Sequence, residues 1–186
     1  IIGIIVSIFV LANRKSFARH SKIILSALLN KRTYNIVIEE VKIADKMFSG
    51  FFMGKIIDSM IVGVICFISL EIMRMPYAIL VSVIVAITNI IPIVGPFIGA
   101  IPGTIIVFSA DPLKALYFLV FIIILQQIDG HIIGPKCIGS ATGLSTFWVL
   151  FAIIFFGGLW GIVGMLIGVP LLAVLFDIGT KRIKYI

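Results

Sequence analysis

A handful of polar side chains sit inside or beside long apolar runs: Asn89, Thr104, Gln126, Gln127, Asp129 and His131, with Asp58 further upstream. Amide and carboxylate groups in such places are ligands for a small polar solute or a cation. An ionisable group at membrane depth costs about 3 kcal/mol, so it marks a function with a partner. For Asp129 the candidate partners are His131, Lys136 or a bound cation; the competing reading is an interfacial loop acid, since Gly130 and His131 follow at once. Asp58 has Lys55 three residues earlier on the same helical side, which reads either as a structural ion pair or as a proton or sodium site. His131 by itself reads as an interfacial histidine. Bond-making chemistry finds no basis: GxSxG and HExxH are absent, and Glu39-Glu40 lies in a basic surface stretch. Cys66 and Cys137 form neither a CxxC nor a metal-ligand spacing, so no enzyme, cofactor or metal is expected.

The elements that must hold these groups are apolar. Hydrophobic residues make up 61% and charged residues 12% of the 186, and the mean hydropathy is +1.27. Long uninterrupted apolar blocks imply an all-α polytopic integral membrane protein, because lipid satisfies no backbone polar group and only internally bonded helices survive there. The net charge of +7 does not point to nucleic acid, since 11 of the 15 Lys and Arg fall in 13–49 and 181–186, flanking the apolar blocks. Positive charge so placed puts both segments on the cytoplasmic side of the membrane. The chain opens on Ile1 with about twelve mostly apolar residues, too few to span. These are expected to be the end of a truncated spanning helix.

Residues 13–49 predict two amphipathic cytoplasmic helices. Ile24, Leu25, Leu28 and Leu29 form one apolar face; Val37, Val41, Ala44, Phe48 and Phe51 form the next, after a polar break over 30–35. A permease core is expected over 50–177 and a basic tail over 178–186. The first full span is expected at 51–72, leaving the membrane where Glu71, Arg74 and Pro76 cluster. From 76 to 108 no residue is charged. A straight helix of that length would run to about 50 Å against a hydrocarbon core of about 30 Å, so this stretch must fold as more than one piece. The same holds for 144–176, whereas 113–127 suits one span or a long half-helix. Break signals are Pro92, Gly95, Pro96, Gly99, Pro102 and Gly103 in one stretch and Gly157-Gly158 in the other. With both basic ends inside, the crossings number four, with re-entrant half-helices, or six.

The two stretches NIIPIVGPFIGAIP (89–102) and QQIDGHIIGPKCIG (126–139) echo one another: polar residues, then Ile-x-Gly-Pro, then Ile-Gly. Paired Gly/Pro breaks in corresponding positions point to a transporter binding site, with Pro92, Gly95, Pro96 and Gly99 in one break and Gly134 and Pro135 in the other. The plainer reading is a pair of surface turns. Gly157, Gly161, Gly164 and Gly168, at spacings of 4, 3 and 4, predict close packing along one helix face.

At these residues the chain resembles the autoinducer-2 exporter family of bacterial permeases. The resemblance covers 54–176 and rests on the two stretches above, on GLSTFWVL (143–150) and on GGLWGIVGMLIGVPLLAVL (157–175). Thr146 stands where members of that family usually have a proline. The resemblance implies an all-helical, multi-pass, oligomeric permease of the inner membrane with its N-terminal spans outside this sequence. Within the family some members are described as exporters of the quorum-sensing furanone and others as sodium/proton antiporters. The expectation is a secondary transporter of a small solute or of Na+ and H+, in which Asn89, Gln126, Gln127, Asp129 and Asp58 supply ligands. The alternative is a non-transporting membrane scaffold whose breaks serve packing and assembly alone.

Overall fold

A computed structural model describes residues 9, 12–137 and 143–184. The helix end expected over 1–12 falls almost wholly outside the described residues, as do 138–139 of the second echo and the last two residues of the basic tail. All the regular structure among the described residues is helical. The chain divides into two compact units, 1–43 and 44–186.

Helix α1 (Arg14–Leu28) buries none of its residues. It stops where Leu29 turns extended, at φ −113° and ψ 144°. The expected polar break over 30–35 shrinks to this one point, because α2 begins at Lys31 and runs without interruption to Ile72. The second amphipathic helix and the first span are therefore a single helix of 42 residues. No proline falls in it, and isolated glycines such as Gly50 weaken a helix by about 1 kcal/mol without stopping it. Its buried residues from Phe51 on, which include Gly54, Asp58, Val62, Cys66 and Leu70, form a stripe at three- and four-residue spacing.

The end of α2 falls where the Glu71–Pro76 cluster places it. Arg74 adopts φ 49°, its N–H bonds the Glu71 carbonyl at 3.0 Å, and the Met75 N–H reaches back to Leu70 at 2.9 Å. This is a Schellman stop, closed by burial of both Leu70 and Met75 in one core cluster. Pro76 then forbids resumption.

The uncharged stretch folds as a hairpin of α3 (Ala78–Asn89) and α4 (Gly95–Ala110). A β-carbon on Gly95 would collide with the Thr88 carbonyl, and one on Gly99 with the Thr88 hydroxyl. Gly103 meets Val81 of α3 and Phe118 of the next helix. The glycines thus let two backbones touch. Val81, Val85 and Val107 of this hairpin pack with Val62, Cys66 and Leu70 of α2.

Helix α5 (Pro112–Ile128) begins with the Asp111 carboxylate accepting from the Leu113 and Lys114 N–H groups, and Pro112 occupies the first turn. Lys114 Nζ donates to the Arg74 carbonyl at 2.7 Å, tying this end to the end of α2. The helix then passes through a π-turn, Asp129–Ile133, and stays helical to Cys137. The second Gly-Pro pair is therefore no unwound break. Pro135 has no N–H to give, and the helix absorbs the loss by widening one turn, with the Gly134 N–H bonded to the Asp129 carbonyl.

Helix α6 (Thr146–Lys184) doubles back. Gly161 has φ 61° and ψ −141°, a conformation open to glycine. A β-carbon on Gly164 would overlap the Phe156 carbonyl, and one on Gly168 would lie 2.7 Å from Phe156 Cβ and 3.0 Å from the Ala152 carbonyl. Residues eight and sixteen apart cannot meet on a straight helix, so 146–160 and 162–184 form antiparallel arms. This corrects two expectations. The break lies at Gly161, not at Gly157-Gly158, and the four glycines do not share one face: Gly157, Gly164 and Gly168 lie between the arms while Gly161 makes the turn.

Among the described residues three helices could, by length and composition, cross a membrane: Lys31–Ile72, Pro112–Cys137 and Phe147–Thr180. The last of these is the doubled helix. Exposed faces are strongly apolar, as at Leu116, Val120, Ile123 and Ile124 along α5, the arrangement of a membrane protein with lipid as its solvent.

Candidate functional site

Within the unit 44–186, α2, the tip of the α3–α4 hairpin, the π-turn and both arms of α6 surround a cavity of about 530 Å³. Asp58, Asn89, Gln126, Gln127 and Asp129 all line it. These residues come from three separate helical segments, and each is delivered by a local feature. Asp58 lies on the buried stripe of α2. Asn89 is the last residue of α3 before the turn, and Asp129 opens the π-turn. The wide turn directs Asp129 inward, where it is 7% exposed.

Asp58 is fully buried at 0% exposure. Lys55 Nζ donates to its Oδ2 at 2.7 Å, and Asn89 Nδ2 donates to the same oxygen more loosely at 3.4 Å. Asp129 lies close enough to Asp58, Lys55 and Asn89 to interact with them electrostatically. Several buried atoms of this group find no partner in the protein, namely Asp58 Oδ1, Asn89 Oδ1, Asp129 Oδ1, Ser59 Oγ and Gln126 Nε2. Leaving one such atom unpaired costs about 1–3 kcal/mol. Such a concentration beside a cavity needs water or a bound species to complete its bonding. Lys55, Asp58 and Asp129 are the ionisable lining residues, two acids against one base. Among the described residues no group of three or more His, Cys, Asp and Glu could hold a metal ion.

The rest of the wall is apolar, with Phe51, Ile122 and Ile153 from three helices. Pro92, Ile93 and Pro96 contribute the hairpin tip. Ile93 holds φ 64°, a strained conformation for a β-branched residue, and such strain gathers at ligand clamps.

The two Gly-Pro pairs take different parts. Pro92 and Pro96 face the cavity, as does Gly134, whose α-carbon leaves an open approach to Asp58 Oδ1, 3.9 Å from where a β-carbon would stand. Gly95 and Gly99 are packed against α3, and Pro135 is exposed on the far side. Neither expected side-chain partner of Asp129 serves it. His131 is exposed with Nδ1 2.9 Å from the Gln127 carbonyl oxygen, and Lys136 is exposed. The polar neighbours of Asp129 are Asp58, Lys55 and Asn89. Thr104 lies away from the cavity and bonds its own helix at Ala100. Lys55 is the residue that sequence reasoning left outside the site; its spacing from Asp58 was visible, but the face on which the pair points was not.

Helices this apolar, folded into two hairpins around buried carboxylates, define a helical membrane protein with a polar cluster buried in its core. The chain belongs to the AI-2E family of transporters, whose family model matches residues 1–181. It is 39% identical over 126 residues to YueF of Bacillus subtilis, provisionally named a transport protein, covering 68% of this chain and 34% of that one. A Haemophilus influenzae protein of the same provisional name is 34% identical over 175 residues, 90% of this chain and 48% of its own. YhhT of Escherichia coli, likewise named, is 31% identical over 113 residues, 60% of this chain and 32% of its own. The chain thus spans about a third to a half of the length of these curated relatives. No solved structure matches it significantly.

Proposed function

We propose that this chain is the core of a cation-coupled secondary transporter that moves a small solute across the bacterial cell membrane, with Asp58 and Asp129 as the coupling pair. One observation carries this reading: two buried carboxylates from different helices, with unpartnered oxygens, meet at a cavity. Two carboxylates at one cavity repel one another unless a proton or a cation lies between them. Exchange of one for the other is the elementary step of proton/sodium coupling. The apolar remainder of the cavity has room for an organic solute beside the ion.

A membrane topology accompanies this reading. A hairpin reaches no deeper than its shorter arm, and α3, at 12 residues, extends about 18 Å, against a core of about 30 Å. The first arm of α6, 146–160, extends about 22 Å on the same rise. Both hairpins are then re-entrant, and α2 and α5 make two straight crossings in place of the four or six expected. The basic segments 13–49 and 181–186 both remain cytoplasmic, so the hairpins enter from opposite sides. Domain limits of 13–49 for the cytoplasmic helical segment, 50–177 for the permease core and 178–186 for the tail belong to the same reading.

The test uses the full-length protein in proteoliposomes. A sodium pulse is expected to move protons in the wild type and to move none in Asp58→Asn or Asp129→Asn. Equal proton movement in wild type and both variants would remove the carboxylates from the mechanism. A wild type without any proton movement would separate the cavity from sodium/proton exchange.

A further inference from the structure

We propose that Lys55 sets the valence of the cation this cavity takes, restricting it to monovalent ions. The inference rests on the coupling role given to Asp58 and Asp129. Its basis is a charge count among buried side chains. Among the described residues three ionisable side chains line the cavity, Lys55, Asp58 and Asp129, and relative exposure is 7%, 0% and 7% respectively. With all three ionised the sum is one negative charge. A monovalent cation brings the site to neutrality, while a divalent cation leaves it with an uncompensated positive charge in a buried place, which proteins avoid.

The geometry makes Lys55 a fixed part of that count. Its ammonium is 2.7 Å from Asp58 Oδ2 and lies on the same helix three residues away, so it accompanies Asp58 wherever α2 goes. It occupies one edge of the carboxylate. The other oxygen, Asp58 Oδ1, has no partner, nor have Asp129 Oδ1 and Asn89 Oδ1. The three unpartnered atoms are hard oxygen donors on two helices and the π-turn, the ligand type of alkali and alkaline-earth cations, and the ammonium on Asp58 cancels one unit of their negative charge. Removing the ammonium leaves the same oxygens with two negative charges, a set suited to a divalent ion.

The experiment measures equilibrium binding of Na+ and Ca2+ to the purified full-length protein at fixed ionic strength. Wild type is expected to prefer Na+. Lys55→Met is expected to shift the Ca2+ to Na+ affinity ratio by about a hundredfold toward Ca2+, and Lys55→Arg, which keeps the charge, to hold the wild-type order. A second comparison does not need Lys55→Met to be stable alone. Asp58→Asn leaves a site of zero net charge and is expected to lose Na+ binding; adding Lys55→Met to it restores the single negative charge of Asp129 and with it Na+ binding. A Lys55→Met protein with the wild-type ratio, or a double variant no better than Asp58→Asn, would overturn the proposal and leave the coupling role of the carboxylates standing. A wild type that binds neither ion would overturn both.

Discussion

Gly158 and Gly164 offer a paired test of the doubled helix, because they are six residues apart in one apolar sequence yet meet opposite surroundings. At Gly158 a β-carbon finds nothing within 4 Å, whereas at Gly164 it would fall on the Phe156 carbonyl of the opposing arm. Backbone cannot swing aside as a flexible side chain can, so the arms of α6 would have to separate. Overpacking of this kind costs about 1–3 kcal/mol, offset by the roughly 0.5–1 kcal/mol that alanine gains over glycine within a helix. Gly158→Ala, with only the favourable part, is expected to be neutral or stabilising by up to about 1 kcal/mol. Gly164→Ala is expected to be destabilising, and Gly164→Leu more so, since its added bulk has Trp160 Cβ on one side and Phe156 on the other. Reversible unfolding of the purified protein in mixed micelles reads the difference. Equal and favourable effects at both positions would mean that the arms do not touch and that α6 is straight, which would refute the hairpin.

Other expectations follow from single contacts. Gly99→Val forces bulk against the Thr88 hydroxyl and Val85 and should open the α3–α4 hairpin, seen as faster amide exchange over 81–107 with little change in the arms of α6. Asp111→Ala removes the acceptor for two N–H groups at the start of α5 and should cost about 1 kcal/mol in the same unfolding measurement. Asp58→Asn strips Lys55 of its nearest carboxylate; Asp129 remains to receive the ammonium, so the loss should stay below the 3–5 kcal/mol typical of a broken buried pair, and Asp58→Asn combined with Asp129→Asn should reach that range. Equal losses in the single and double variants would show that Asp129 does not compensate.

Much of this arrangement was legible from punctuation. Pro76 and the charges around it fixed the end of α2, and Pro92, Gly95 and Pro96 fixed a hairpin whose tip places Asn89 beside Asp58. What escaped has physical reasons. Gly157, Gly158, Gly161, Gly164 and Gly168 are equivalent as letters, and only the approach of Phe156 decides which turns and which pack. The Gly134-Pro135 pair looks like the Gly95-Pro96 pair, but a proline that follows an established helix can be absorbed by a π-turn, whereas one at the start of a helix sits where no donor is needed. Lys55 and Asp58 read as a structural ion pair or as a proton or sodium site, because a three-residue spacing says that two groups meet and nothing about what surrounds them.

The bare backbone contact between α3 and α4 has a mechanical consequence. With Gly95, Gly99 and Gly103 between them, few side chains are available to slide or repack, so the hairpin transmits displacement as a stiff lever. Movement of its tip around the cavity must be accommodated at the opposite end, over 73–77. There Arg74 and Tyr77 both hold positive φ and the Arg74 carbonyl is held by Lys114. The pivot and Asn89 then lie at opposite ends of one rigid body, and amide exchange should be slower through the arms than at 73–77. Uniform exchange along the hairpin would show a flexible strap in its place.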